Sequence, residues 1–396
     1  MSRILIAPLM RNLGESHRLD KIANELSLQG HSVYIIGDIF YDWLFTNSNF
    51  EFINIESDKI IYNEINCEKM LDIRNDFNFI NVRQIEEACL EEINILKDYD
   101  IDAIITGYRL TTVITSKVLD IPLIWILSGA VSKESIMENI DLVIRGRVFS
   151  EKGKKIIIEK ALNTKLPVKN WNKFLKSIGR KEFESAFQLF EGDLNLVTDI
   201  TSFYNFVDTN YKVVGPILMK DIKKIKPKKK LYGDKILLSF GSSVDTNWLN
   251  QFLSSLPIDQ KYILALPKKN NCIIPSDLEL EVSHFIDYNS ISDEIRYSIV
   301  HGGQGTLYDM LFHNIPMIAI PFFIEQEINI RKFKKASLCM TIGKNELDNL
   351  GYMINRMNEK CTEIQNNCIL FSKKFYLEAQ CSIFLAVKYI EDYLNR

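Results

Sequence analysis

The residues with the clearest chemical use lie between Ser298 and Asn329, in the run SIVHGGQGTLYDMLFHNIPMIAIPFFIEQEIN. The pair Ile299-Val300 ends an apolar run at His301, and Gly302, Gly303, Gln304 and Gly305 allow a sharp turn before Thr306. Leu307, Met310 and Leu311 recur at helical spacing, so a helix is expected from Thr306, with Asp309 in its first turn. A helix N-terminus presents unpaired N–H groups with partial positive charge, and glycines let a phosphate come close to them. A diphosphate fits that chemistry, with the His301 ring and the Thr306 hydroxyl beside it. After a second expected strand, Met317 to Ile320, Pro321 leads to Glu325-Gln326 on the next loop. An acid and an amide there suit sugar hydroxyls.

The surrounding pattern alternates strands and helices. Arg3 to Pro8 reads as a buried strand, Met10 to His17 as a polar loop, and Leu19, Ile22, Ala23, Leu26 and Leu28 as a helical face ending at Gly30. Strands are expected at Val33 to Ile36, Ala103 to Thr106, Pro122 to Leu127 and Leu194 to Thr198, with helices at Ile80 to Leu96 and Thr111 to Leu119. The basic stretch Arg145 to Glu191 carries Trp171, Phe174, Phe183, Phe187 and Phe190, and is expected to cover a cleft and meet an acceptor. Lys220 to Gly233, lysine-rich with Pro227 inside it, reads as a linker. Beyond it the pattern repeats: a strand at Ile236 to Phe240, a turn at Gly241-Ser242-Ser243, a helix at Trp248 to Leu256, and strands at Tyr262 to Leu266, Glu281 to Phe285 and Ile299-Val300. Two Rossmann-like α/β domains with parallel sheets facing a central cleft are expected.

Composition narrows the function classes. The chain has 396 residues, 46% hydrophobic and 25% charged, enough for two full cores. No uncharged apolar run of about 18 residues points to a membrane span, and no basic start with a long apolar centre points to a signal peptide, so a cytoplasmic location is expected. Seven cysteines are scattered without a Cys-x-x-Cys pair and read as reduced thiols; five histidines show no metal-ligand spacing. No metal and no resident cofactor are expected. The net charge of −3 is uneven: Arg145 to Lys181 holds twelve Lys/Arg against two acids, and Lys220 to Lys235 eight lysines against two aspartates. These runs read as solvated surface, and they also suit weak contact with an anionic membrane. Neither carries a nucleic-acid-binding motif, so nucleic acid is not an expected partner.

The stretch from Ser298 to Asn329 resembles the donor-binding signature of family 1 nucleotide-sugar glycosyltransferases of the bacterial macrolide and glycopeptide type, which have the GT-B fold. The likeness rests on His301, Gly302, Gly303, Gly305, Thr306, Pro316, Pro321, Gln326 and Asn329. It departs at Glu325, usually Asp, at Asp309, usually Glu, and at Asn314, usually Gly. Ser239-Phe240-Gly241-Ser242 is similar to the family's Ser-x-Gly-Ser turn. The resemblance implies a donor diphosphate on Ser242, His301, Gly303, Gln304, Gly305 and Thr306, and donor-sugar contacts from Glu325 and Gln326. It also implies that the nucleotide base packs on Phe285 and Ile286, where the family has Trp-x-Pro and this chain has Asp287 for the Pro. The implied domains are an acceptor-binding domain at 1–216, a linker at 217–233, a donor domain at 234–378, and a helix at 379–396 packing back on the first domain.

In the family the general base follows a glycine on the first loop, sixteen residues before the His of a Gly-His pair. That count from His31 reaches Glu15, after Gly14, in place of the usual His. His17 serves instead if the loop is two residues shorter. The acid that orients the usual His is replaced by Gly107, and a carboxylate base needs no tautomer control. The expected function is an inverting, metal-independent transfer of a hexose from a UDP- or TDP-type sugar nucleotide to a hydroxyl of a hydrophobic natural product or lipid. A nucleotide-sugar epimerase or hydrolase of the same fold, or a noncatalytic nucleotide-sugar-binding partner, are the alternatives.

Overall fold

The computed structural model describes residues 1–395 except 39, 42, 71, 73, 144–149, 209, 229–232, 242–243, 267–270 and 285; of residue 68 it describes the backbone alone. The chain divides into two compact units, Met1–Ile217 with Cys381–Arg396, and Leu218–Gln380.

The first unit is built on seven strands: β1 (Arg3–Ala7), β2 (Ser32–Ile36), β3 (Phe50–Ile53), β4 (Ala103–Thr106), β5 (Leu123–Leu127), β6 (Leu194–Val197) and β7 (Tyr211–Val213). Their order is β3-β2-β1-β4-β5-β6-β7, and every pair is parallel. Central strands of a parallel sheet are buried on both faces, and β1 is apolar along most of its length for that reason. Leu5 and Ala7 enter one core cluster, Ile4 and Ile6 the other. The edge strands β3 and β7 were not expected. Each is short and has polar residues facing water, so neither leaves an apolar run to read.

Two expectations need correction here. The helix expected from Leu19 begins at Leu13 and runs to Leu28, capped by the Asn12 side chain, which accepts the Glu15 N–H. Gly14, Glu15 and His17 are therefore helical rather than on an open loop. The first buried turn is polar, Glu15 to Arg18, so the apolar period starts one turn late. The second correction concerns the basic insert, which forms helices Glu151–Leu162 and Lys169–Ser177. Trp171, Phe174, Phe183 and Phe190 belong to the unit's own core, with the Trp171 indole N–H donating to the Phe77 carbonyl at 3.1 Å. They are not available to an acceptor.

The second unit carries β8 (Lys235–Ser239), β9 (Lys261–Ala265), β10 (Glu279–Ser283), β11 (Ile295–Val300), β12 (Met317–Ala319) and β13 (Cys339–Thr341), in the parallel order β10-β9-β8-β11-β12-β13. The edge strand β13 was not expected. A 45-residue helix, Leu350–Leu394, ends the chain. Its Ala386, Val387 and Ile390 are buried in the first unit's core with Ile4, Val33 and Leu194, and Glu391 meets the His31 ring at 3.2 Å.

In each sheet the strand order reverses once, between β1 and β4 and between β8 and β11. Ligands of open parallel sheets bind outside the C-terminal ends of the strands at that reversal. A surface cavity of about 480 Å³ lined by Leu123, Asp193 and Tyr393 lies at the opposite end of the first sheet, where β5 and β6 begin.

Candidate active site

In the second unit the β11 end turns into a helix at Gln304 rather than Thr306. Gly303 is the N-cap and brings no side chain to it, so the first-turn N–H groups are not capped from within the turn. Gly305 at the tip is exposed. The half-buried His301 ring directs Nδ1 to the Ser239 carbonyl at 3.3 Å. A carbonyl only accepts, so Nδ1 carries the proton. Nε2 then faces the turn, in the space that a Gly303 Cβ would enter at 2.4 Å. Desolvation pushes the ring down to about 4, and the Ser239 carbonyl pulls the other way. His301 is thus neutral at pH 7.

Neighbouring groups complete this end of the sheet. Tyr288 hydrogen-bonds the Ser239 side chain, folding the segment after β10, with Ile286, back toward the end of β8. Burial raises the Asp309 carboxyl to about 7, opposed by Lys220; it stands in the second turn of its helix, past the reach of the N-terminal dipole. Asn314 follows that helix with φ +57°, a left-handed conformation that asparagine tolerates, which accounts for its replacing glycine. Glu325 and Gln326 lie in the first turn of helix Ile324–Lys335, not on a loop. Gln326 Oε1 accepts the Phe322 and Phe323 N–H groups at 2.7 and 3.4 Å, so its carbonyl closes the turn and Nε2 is the end left for a ligand. Ser242 and Phe285 lie outside the described residues. Sequence reasoning missed Tyr288 and Lys220, which fall outside any motif, and it gave Ser239 no role of its own within the Ser-x-Gly-Ser turn; the three meet only through the fold.

In the first unit Glu15 points inward at the sheet reversal. Both its oxygens accept the Leu9 N–H, at 3.2 and 2.9 Å; Oε1 accepts Tyr108 N–H at 3.1 Å, and the Gly107 N–H is a third donor. A Cβ on Gly107 would stand 2.4 Å from Glu15 Cγ, so the missing side chain at 107 is the space the carboxylate occupies. Glu15 is 0% exposed. Burial raises it to about 7, while Arg18 and the three N–H groups pull it back. That value suits a base near neutral pH, but the carboxylate has no open face in this arrangement. His17, one half-turn on, is also buried.

Beside it lies a charged cluster that sequence spacing did not reveal. Arg109 makes two bonds to Asp58, at 2.6 and 2.7 Å, and one to Glu92 at 3.2 Å. Thr111 Oγ1 donates to Glu92 at 2.8 Å, and the guanidinium lies 5.0 Å over the Tyr62 ring. Arg109 is 1% exposed. Its partners are 51 and 17 residues away, beyond any local pattern. Among the described residues, no group of three or more His, Cys, Asp or Glu could hold a metal ion.

Comparison with known proteins bears on the fold and on the second unit. Residues 216–376 match the family model described as Glycosyltransferase family 28 C-terminal domain. A curated relative, UDP-glucuronosyltransferase 3A1 of Xenopus laevis, is 27% identical over 124 residues; the match spans 28% of this chain and 23% of that protein's length. The calicheamicin glycosyltransferase CalG4 superposes with a TM-score of 0.69 at 15% identity, covering 100% of this chain and 99% of the other. SsfS6 of Streptomyces sp. SF2575, solved with thymidine diphosphate, gives 0.58 at 15% identity over 99% of this chain and 100% of that one. The fold is GT-B, with two Rossmann-like units. Residues 216–376 thus resemble glycosyltransferase family 28 C-terminal domains, and the chain as a whole shares the GT-B fold of these glycosyltransferases.

Proposed function

We propose that the protein is an inverting, metal-independent hexosyltransferase that moves a sugar from a nucleoside-diphosphate sugar to a hydroxyl of a hydrophobic small molecule or lipid, in the cytoplasm. The observation that carries this reading is the N-terminus of helix Gln304–Phe312, open beside His301 at the end of β11. As the acceptor oxygen attacks the anomeric carbon and the bond to the diphosphate breaks, charge grows on the leaving group. The first-turn N–H groups, Thr306, Ser242 and His301 meet that charge. Glu325 and Gln326 Nε2 hold the sugar, and the base-packing role is assigned to Phe285, outside the described residues, and Ile286. Glu15 takes the acceptor proton, after its side chain leaves the Gly107 space. The solved complex of SsfS6 with thymidine diphosphate supports the donor class.

Binding of the donor should be linked to a proton. The bare Nε2 of neutral His301 cannot donate to a phosphate, so the ring takes up a proton as the dianion raises its pKa above the free value of about 4. Uridine diphosphate or thymidine diphosphate is therefore expected to bind with proton uptake, and to weaken as pH rises through the bound-state pKa. His301→Ala should weaken binding about tenfold, the size expected for losing one hydrogen bond to a charged group. Calorimetry in buffers of different ionisation enthalpy measures both. Unchanged affinity in the variant removes the diphosphate assignment.

Weak contact with an anionic membrane is supported by one surface of the first unit. Lys152, Lys155 and Lys160 share the outer face of helix Glu151–Leu162 with the exposed Ile156, and Lys169, Lys173 and Lys176 line the outer face of the next helix. Co-sedimentation with phosphatidylserine vesicles should be salt-sensitive. Equal pelleting with neutral vesicles, or none, leaves these lysines as solvated surface. Among the described residues no helix is long and apolar enough to cross a membrane.

The inward position of Glu15 favours a second reading, a noncatalytic nucleotide-sugar-binding partner. An epimerase or hydrolase would consume donor without an acceptor. Donor turnover with and without an acceptor panel separates all three: acceptor-dependent turnover supports the transferase, acceptor-independent turnover the hydrolase, and binding without turnover the partner.

A further inference from the structure

The stretch read as a linker is strapped to the second unit, and the strap converges on His313. Lys228 N–H donates to the His313 carbonyl at 2.9 Å, and Asn314 Nδ2 to the Lys228 carbonyl at 3.0 Å. Asn289 holds the strap from the other side: its Oδ1 accepts Lys226 N–H at 2.9 Å and its Nδ2 donates to the Lys224 carbonyl at 2.8 Å. These two bonds fix which end of the amide is oxygen. The same Oδ1 faces His313 Nε2 at 3.0 Å, while Nδ1 faces the Asp309 carbonyl at 2.7 Å. Both ring nitrogens thus meet oxygens that only accept. A neutral imidazole has one N–H, so one contact sets lone pair against lone pair; the imidazolium satisfies both.

His313 also caps the C-terminal end of helix Gln304–Phe312, where a positive charge complements the helix dipole. The groups facing it are the Asp287–Lys220 ion pair, the edge of Tyr288 with ring centroids 5.9 Å apart, the Asp309 carboxyl one turn back, and Lys228. Burial is the largest influence and holds the ring below its ordinary value, with Lys220 acting the same way and the Asp309 carbonyl and Asp287 opposing, so the imidazolium forms on the acid side of neutrality.

We propose that His313 is a positioning residue: its protonated ring clasps strap 224–228 to the C-terminal end of the helix whose other end faces the diphosphate, holding that helix in place. The clasp stands on its own geometry, and its bearing on the reaction rests on the donor reading above. As pH rises and the ring loses its Nε2 proton, the contact to Asn289 opens and the strap loosens.

The Lys226 amide reports the clasp directly. Hydrogen exchange of the full-length protein, corrected for intrinsic rates, should show about tenfold more protection of Lys226 at pH 5.5 than at pH 8. His313→Gln, which can hydrogen-bond but not titrate, should abolish that difference, and Asn289→Ala should leave Lys226 unprotected at both. Uridine diphosphate affinity at pH 5.5 should fall about threefold in His313→Gln, the effect of removing one charge from a helix end. A pH difference that is absent in the wild type, or retained in His313→Gln, overturns the clasp. Exchange as expected with unchanged affinity overturns the positioning role. If neither protein binds uridine diphosphate, the donor reading falls and the exchange result still decides the clasp.

Discussion

Glu15→Gln is expected to slow sugar transfer by roughly a hundred- to ten-thousandfold, the range for losing a general base, while nucleoside-diphosphate affinity stays within a factor of two of the wild type. The wild-type kcat/KM should fall on the acid side with an apparent pKa near 7, because burial holds the carboxyl at that value. Gly107→Ala sharpens the test. Its methyl would stand 2.4 Å from Glu15 Cγ, so it evicts the carboxylate toward water, and the acid limb should move down toward the ordinary Glu range. Stability gives an independent sign. A folded-state pKa raised from 4.5 to about 7 means that the stabilising contribution is fully present below pH 4.5 and lost as pH rises through 7. Between pH 4.5 and 8 the wild type should lose on the order of 3 kcal/mol relative to Glu15→Gln, measured by urea unfolding. Turnover within tenfold of wild type in Glu15→Gln sinks the base assignment; a stability difference independent of pH would show that Glu15 stays ionised when folded.

The second large effect concerns stability alone. Arg109→Met should destabilise the first unit by about 3–5 kcal/mol, because it strands Asp58 and Glu92 with no buried cation. Replacing all three by apolar residues of similar volume, Arg109→Met with Asp58→Leu and Glu92→Leu, should recover most of the loss, since the cost lies in the orphaned charges. Urea unfolding followed by tryptophan fluorescence reports this unit through the buried Trp125 and Trp171. A single variant within 1 kcal/mol of wild type would mean that Asp58 and Glu92 find other partners or protons.

How far the sequence could be read depended on the kind of signal each element leaves. The central strands β1, β4, β5, β8 and β11 carry apolar runs because both faces are buried, and their pattern leads to two parallel sheets. The edge strands β3, β7 and β13 span only three or four residues; Glu51 and Lys212 interrupt the first two, and β13 is too short to leave a distinct run. The turn after β11 was legible because a helix N-terminus, glycines and His301 lie within a few residues of one another. Counting pointed to Glu15 but could not give its direction: whether a side chain faces water or the β4 end depends on the hole at Gly107, 92 residues away in the chain. The insert misled for a related reason. Aromatic residues such as Trp171 and Phe174 look alike in sequence whether they line a ligand site or fill the unit's core, and here they fill the core.

The last helix carries a consequence for how the protein comes to be folded. The face of the first sheet formed by Ile4, Val33 and Leu194 is closed by Ala386, Val387 and Ile390. During synthesis, everything else in the first unit has been made by residue 217, yet this face stays open until some 170 further residues are added. Over the several seconds to half a minute that elongation takes, the first unit must wait with apolar surface in water. It therefore matures last rather than first, and the interval is when chaperones would hold it and when truncation near the C-terminus would leave a sticky, incomplete core.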